Sequence, residues 1–271
     1  MFLTDITPRV TVYESLRQVN GRWARVNTET NTVVEFYHGD NTIIVEGGNV
    51  FKSAEGEELT QRINQADVEP TIRFLEKITG IPHFEHALGT TGKTPTSGDL
   101  DIGMPAGVTK EELVAKLSQW TSQHGEDSKA FIRKSGISVH FKTPIGGSPE
   151  RGYVQTDFMF VPNLEFAKFA MAADPHSKYR GAHKQILLSS IAKVKGFTWN
   201  PTTGLIDRAT KKLVDNGDDP DHIAKLLFGA GADRTSLTSV EAVLAALENN
   251  PEREALLADA RETLGRDGVE I

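Results

Sequence analysis

The stretch Leu88–Met104, LGTTGKTPTSGDLDIGM, restricts this chain more than any other: a glycine-rich turn runs into Asp99-Leu100-Asp101-Ile102, where carboxylates and aliphatics alternate. Successive side chains leave a strand on opposite faces. A strand here therefore buries Leu100 and Ile102 on one side and sends Asp99 and Asp101 together to the other. The sheet that holds it needs one apolar face packed on other elements and one polar face carrying paired charge.

The flanking pattern is mixed. Upstream, a helix is expected over about Val68–Thr79, with Ile72, Leu75 and Ile78 on one face and Gly80 placed to stop it. Downstream, Thr109 and Glu112 have capping-box spacing, and Leu113, Leu117 and Trp120 form one stripe of a helix over about Lys110–Gln123. Two strands follow, Ile137–Phe141 and Tyr153–Val161. In the second, Val154, Thr156, Phe158 and Phe160 share one face, and Tyr153, Gln155, Asp157 and Met159 the other. With the first set in the core, Asp157 faces the way the paired aspartates do. The same alternation puts Ser138 and His140 on the polar face.

Residues 1–52 read as a strand meander, Val10–Tyr13, Trp23–Val26, Thr32–Tyr37 and Thr42–Val45, divided by turn formers such as Asn20-Gly21 and Gly47-Gly48. A helix is expected from His183 to Lys195. The window 175–206 holds Lys178, Arg180, Lys184, Lys193 and Lys195 and no acidic residue, which reads as a cationic patch. After about Leu213 the tail is helical: Asp219-Pro220 opens one element ending near Gly229, Thr238 with Glu241 caps a second, and Asn250-Pro251 opens a third. This gives an α+β expectation with three segments: a β-rich extension over 1–66, a mixed-sheet core over 67–206 and a helical subdomain over 207–271.

Composition narrows the chemistry. The 271 residues carry 30 basic and 37 acidic side chains, a net charge of −7, which argues against a globally cationic nucleic-acid coat. There is no cysteine, so disulfides, thiolate zinc sites and cysteine nucleophiles are excluded together, and a reducing cytoplasm is the expected compartment. The longest apolar runs, Ala242–Leu247 first, fall far short of the roughly 20 residues of a membrane span, and Met1–Arg9 lacks a secretory apolar region, so a soluble protein without membrane contact is expected.

Three carboxylates converging from two strands repel one another unless cations or protons relieve them, and hard divalent ions suit all-oxygen donors. Two Mg²⁺ ions, or Mn²⁺ in their place, serve phosphoryl and nucleotidyl transfer in this way. The preceding glycines let backbone amides approach a polyphosphate, with Thr90, Thr91 and Lys93 adding hydroxyls and a charge. Gly89-x-x-Gly92-Lys93-Thr94 is not a P-loop, which needs four residues between its glycines and a helix directly after the lysine.

These residues resemble the nucleotidyltransferase superfamily typified by DNA polymerase beta, whose motif is a glycine with a small hydroxyl residue, a spacer, two alternating acids and a later third acid. Thr96-Ser97-Gly98-Asp99-Leu100-Asp101 is similar to the acidic motif of the family-X polymerases, and Asp157-Phe158-Met159-Phe160-Val161-Pro162 to their third-acid strand. Tyr179-Arg180-Gly181-Ala182-His183, continuing to Lys195-Gly196-Phe197-Thr198-Trp199-Asn200, looks like the segment in which they cradle the incoming nucleotide. The resemblance covers about Leu88–Ile206, and the chain also looks like nucleotidyltransferase-like proteins of bacteriophages, whose place of action is the host cytoplasm.

The resemblance implies a polymerase-beta-like palm in which Asp99, Asp101 and Asp157 ligate the metal ions and carry catalysis. Gly89, Thr90, Lys93, Ser97 and Gly98 then border the triphosphate, and Lys178, Tyr179 and Arg180 contact the nucleotide. It departs from the family in having Thr90 for the usual serine, a spacer one residue shorter, Gln155 where a basic residue is common, and no helix-hairpin-helix segment. The implied partner is a nucleoside triphosphate, with a DNA or RNA end, a protein side chain or a small molecule as acceptor. A decayed palm serving as a binding or assembly module is the alternative.

Overall fold

The structure, a computed structural model, describes residues 14–19, 22–27, 33–37, 43–44 and 49–271 apart from Asp267, with side chains from residue 49 onward except that of Phe84. The chain forms two compact units, Met1–Gln61 and Arg62–Ile271.

In the first unit, β1 (Glu14–Val19), β2 (Arg22–Asn27), β3 (Val33–Tyr37) and β4 (Ile43–Ile44) make an antiparallel sheet in sequence order. Pairing of Val19 with Arg22 leaves Asn20-Gly21 as the two-residue connection, the residues a tight hairpin favours. The meander is present, but its first described strand is Glu14–Val19, a mostly polar run that β-propensity passes over; Val10–Tyr13 lies outside the described residues.

The second unit opens with a short antiparallel pair, β5 (Ile63–Asn64) with β6 (Thr96–Ser97), between which runs α1 (Gln65–Thr79). Helix α1 stops at Gly80. Then follow β7 (Asp99–Gly103) and α2 (Lys110–Gln123), whose cap is Thr109, accepting from the Glu112 N–H at 3.1 Å. Next come α3 (Ser128–Phe131), β8 (Ile132–Ser135), β9 (Ser138–Pro144) and β10 (Tyr153–Met159). The sheet order is β7-β10-β9-β8, with β10 parallel to β7 and the other pairs antiparallel, so the sheet is mixed. Elements α3 and β8 were not foreseen. A single turn of helix capped by Asp127 and a four-residue strand are too short for periodicity to register.

The carboxy-terminal half contains α4 (Leu164–Met171), α5 (Gly181–Val194), the hairpin β11 (Phe197–Asn200) and β12 (Gly204–Asp207), α6 (Pro220–Phe228), α7 (Val240–Ala246) and α8 (Arg253–Arg266). Helix α6 starts as expected, with Asp219 capping the Asp221 N–H and Pro220 in the first turn. Helix α7 is capped by Ser239, not Thr238, because Ser239 Oγ accepts from the Ala242 N–H while Glu241 turns to a different partner. Among the described residues no helix is long and apolar enough to cross a membrane.

Two hydrophobic clusters hold this unit together. Leu100, Ile102, Val139, Phe141, Val154 and Phe158, the apolar sides of β7, β9 and β10, are fully buried with Val68, Ile72 and Leu75 of α1 and Leu113 and Leu117 of α2. At about 1.5–3 kcal/mol for each large apolar side chain taken from water, this pins the strand register, since a one-residue slip would turn the aspartates into the core. The second cluster joins Phe166, Leu187, Ile191, Trp199 and Leu205 with Ile223, Leu227, Val243, Leu256 and Leu257, so the tail helices share a core with α4, α5 and the hairpin.

Candidate active site

The polar face of the mixed sheet follows from the register. Parallel pairing sets Asp101 opposite Asp157 and Asp99 opposite Gln155, while antiparallel pairing sets His140 opposite Asp157. With Leu100, Ile102 and Phe158 fully buried on the other face, all three carboxylates share one side. One oxygen from each of Asp99, Asp101 and Asp157 lies within 4.8 Å of the others.

The electrostatics of the cluster are unbalanced. Burial pushes the Asp101 carboxyl well above the ordinary carboxylate range, and the charges of Asp99 and Asp157 push it further. Asp99 is also raised, by burial first and Asp157 second, with Arg62 and His140 pulling the other way. The site therefore holds protons where a divalent cation would serve better, and its donors are all hard oxygens. The residues present fit Mg²⁺ or Mn²⁺.

Asp157 is held on both oxygens. His140 Nδ1 lies 2.7 Å from Oδ1, and Gln155 Nε2 donates to Oδ2 at 3.2 Å. His140 is buried, and its Nε2 has no hydrogen-bond partner among the described residues. The ring is thus committed to orienting the carboxylate, in the manner of outer partners of metal ligands.

The glycine-rich turn is fastened to the same strand. The Leu88 N–H donates to the Asp101 carbonyl at 2.8 Å, and the Asp101 N–H to Thr91 Oγ1 at 3.0 Å. From below, Gln65 Nε2 donates to the Gly92 carbonyl at 3.0 Å. Gly89 has φ +58°, and a Cβ there would stand 3.6 Å from Asp101 Oδ2, so the absence of a side chain keeps the approach to the carboxylate open. No helix follows Lys93, and the chain passes instead through β6 into β7.

The expected phosphate-side residues divide. Gly89 borders Asp101, Thr90 is exposed beside it, and Lys93 is exposed with its Nζ donating to the Gly89 carbonyl at 3.1 Å. Gly98 is exposed, next to the Arg62 guanidinium. Ser97 is buried with its hydroxyl unpartnered among the described residues, and the Thr91 hydroxyl is occupied by the backbone.

Lys178, Tyr179 and Arg180 are engaged with the carboxy-terminal helical region. The Lys178 N–H and Ser177 Oγ donate to Glu241, Lys178 Nζ sits 4.9 Å from the Tyr179 ring centroid, and the Tyr179 hydroxyl donates to the Glu270 carbonyl. Arg180 is the residue before α5, its N–H donating to His183 Nδ1.

The cationic patch read from 175–206 is largely neutralised. Lys184 is buried, donates to the Ala172 carbonyl at 2.6 Å and is pushed down to about 8 by burial. Lys193 pairs with Asp259 and Lys195 with Glu252, both acids brought up from beyond the window.

Three contributors escaped the sequence reading. Arg62, upstream of α1, reaches Thr96 with its guanidinium and moderates Asp99. His140 reads from sequence as an ordinary surface histidine, and Gln155 as a missing base. Strand alternation put both on the correct face; only pairing shows that they touch Asp157. No protein-family model matches the chain, and no curated protein matches it.

Proposed function

We propose that this chain is a divalent-metal-dependent nucleotidyltransferase, moving a nucleoside or deoxynucleoside monophosphate from a triphosphate to an acceptor hydroxyl and releasing pyrophosphate. One observation carries the reading: three carboxylates on neighbouring parallel strands, with donor oxygens within 4.8 Å, beside a turn whose Gly89 leaves Asp101 open. The mixed sheet, with its acids on the parallel pair and an antiparallel strand behind the third acid, supports a polymerase-beta-like palm.

Mg²⁺ held by Asp99, Asp101 and Asp157 would supply positive charge against the phosphates and lower the pKa of the attacking hydroxyl. The remaining work belongs to the chain. His140 and Gln155 keep Asp157 from rotating, so its free lone pairs stay aimed at the cluster. The Gly89–Thr90 turn and Lys93 form the donor side for phosphate oxygens, Lys93 as a point charge rather than a fork. The acceptor oxygen bonds to the α-phosphorus as the bond from that phosphorus to the bridging oxygen breaks. Pyrophosphate leaves with the electron pair, and the hydroxyl proton passes to a carboxylate or to water.

With the lysines of 175–206 engaged elsewhere, that window offers no polyanion track, and the acceptor's reacting end must be approached at the acidic face itself. We place the activity in the cytoplasm, a host's if the gene is a phage's, in keeping with the absence of cysteine. The test is transfer of nucleotide radiolabelled at the α-phosphate to primer, tRNA and protein acceptors. Asp99→Asn and Asp101→Asn should each cut transfer by at least about a thousandfold, with an unchanged or higher melting temperature because repulsion is relieved. Variants as active as the parent would overturn the assignment. Binding of Mg²⁺ and triphosphate without turnover on any acceptor would make the chain a non-catalytic binding module.

A further inference from the structure

Helices α1 and α2 pack on the apolar face of the mixed sheet, the side away from the three carboxylates. Between them lies a groove of about 750 Å³, in the range of pockets that take nucleotide-sized ligands. Arg73 and Lys77 of α1 line it from one side and Lys116 of α2 from the other, and no acidic residue is among its lining residues. In a chain of net charge −7 that is a departure from the average surface.

The charges do not cancel locally. Arg73 is shared with Glu76 and Glu69, whereas Lys77 and Lys116 have no ion-pair partner among the described residues. A Cβ on Gly80 would lie 3.8 Å from Lys116 Nζ, so the ammonium sits at the carbonyl end of α1. A helix C-terminus carries roughly half a negative charge, too little to offset two lysines, and the groove keeps a positive field.

An aromatic stack opens onto the same groove. Trp120 and Phe74 meet edge to face with centroids 5.5 Å apart. His124 lies stacked on Trp120, centroids 4.4 Å apart and planes 29° from parallel, and is itself exposed. The stack thus ends on an exposed imidazole, a surface that a further flat ring can extend.

We propose that this groove binds single-stranded nucleic acid, with backbone phosphates against Lys77, Lys116 and Arg73 and a base extending the Trp120–His124 stack. More than one cation calls for more than one phosphate, the open ends let a strand run through, and stacking needs an unpaired base. The site stands independently of the metal cluster and would hold a strand on the reverse side, as an effector or as a tether for an acceptor.

The test is fluorescence anisotropy of fluorescein-labelled oligo(dT) with the full chain, without divalent cations, across a salt series. Lys77→Glu with Lys116→Glu should weaken binding at least about tenfold and flatten the salt slope by roughly two. His124→Ala should weaken it about fivefold or more, while Asp99→Asn should leave it unchanged. Melting curves would confirm that the variants, all at surface positions except Asp99→Asn, fold. The proposal fails if oligo(dT) does not bind, if exposed Lys134→Glu on β8 weakens binding as much as the groove variants, or if Asp99→Asn abolishes it. It fails equally if duplex or thymidine monophosphate binds as tightly as the strand.

Discussion

The polar face of the mixed sheet and the surface of α5 both collect like charges, and they treat them in opposite ways. On α5 and just beyond it, Lys184 is buried against a carbonyl, while Lys193 and Lys195 meet Asp259 and Glu252. On the sheet, Asp99, Asp101 and Asp157 converge within 4.8 Å with only Arg62 and His140 acting against them electrostatically. Paired charge is how a fold disposes of polar groups it must place near a core. Charge left concentrated and partly desolvated is costly to folding, and such sites are where binding or catalysis is found. The contrast, more than the presence of acids as such, marks the sheet face as the working surface.

The comparison can be broken from either side. Leu257→Ala, in the core under α5, should cost about 2–5 kcal/mol in a denaturant titration while leaving the Mg²⁺ affinity of the folded protein unchanged. A loss of metal affinity would show that the two regions are not separable. His140→Ala should lower Mn²⁺ affinity by about 10–100-fold, measured by titration calorimetry, and His140→Asn, which keeps a donor near the Nδ1 position, should restore part of it. A purely structural histidine would instead lower the melting temperature with metal affinity intact.

The pH dependence gives a smaller signal with a definite sign. Because Asp99 and Asp101 are raised above the ordinary value of 3.8, the folded chain retains protons that the unfolded chain has lost once pH climbs above about 4. Their contribution is most favourable below that pH and is lost as pH rises through the folded values, by at most about 1.4 kcal/mol per pH unit for each proton. Melting curves without metal should therefore decline over that rise, Asp101→Asn should flatten the decline, and Mg²⁺ should counter it. A metal-free protein whose stability rises through this window would refute the electrostatic account. The smallest effect is expected at the paired surface: Lys195→Gln should change stability by less than about 1 kcal/mol, and a larger loss would mean that the pair is structural.

Local chemistry was legible in the sequence. The limits of α2, the Asp219-Pro220 opening of α6 and the facing of Asp99, Asp101, Asp157 and His140 follow from capping, from proline's fixed φ and from the two-residue period of a strand, none of which needs a distant partner. Short elements such as α3 and β8 were not, since four residues are too few for a period and their stability comes from neighbours.

What the sequence determined by itself was that three acids would share one face of a sheet, because alternation allows no other arrangement once the aliphatics are buried. What only the tertiary structure decided was which groups meet across strands and helices. It paired β10 parallel with β7, so that the acids stand side by side, and turned His140 and Gln155 from bystanders into holders of Asp157. It also brought Glu252 and Asp259 up to silence lysines that look free along the chain. Such contacts join residues tens of positions apart, and the free energy that selects them lies in burying two hydrophobic clusters, which no local window of sequence contains.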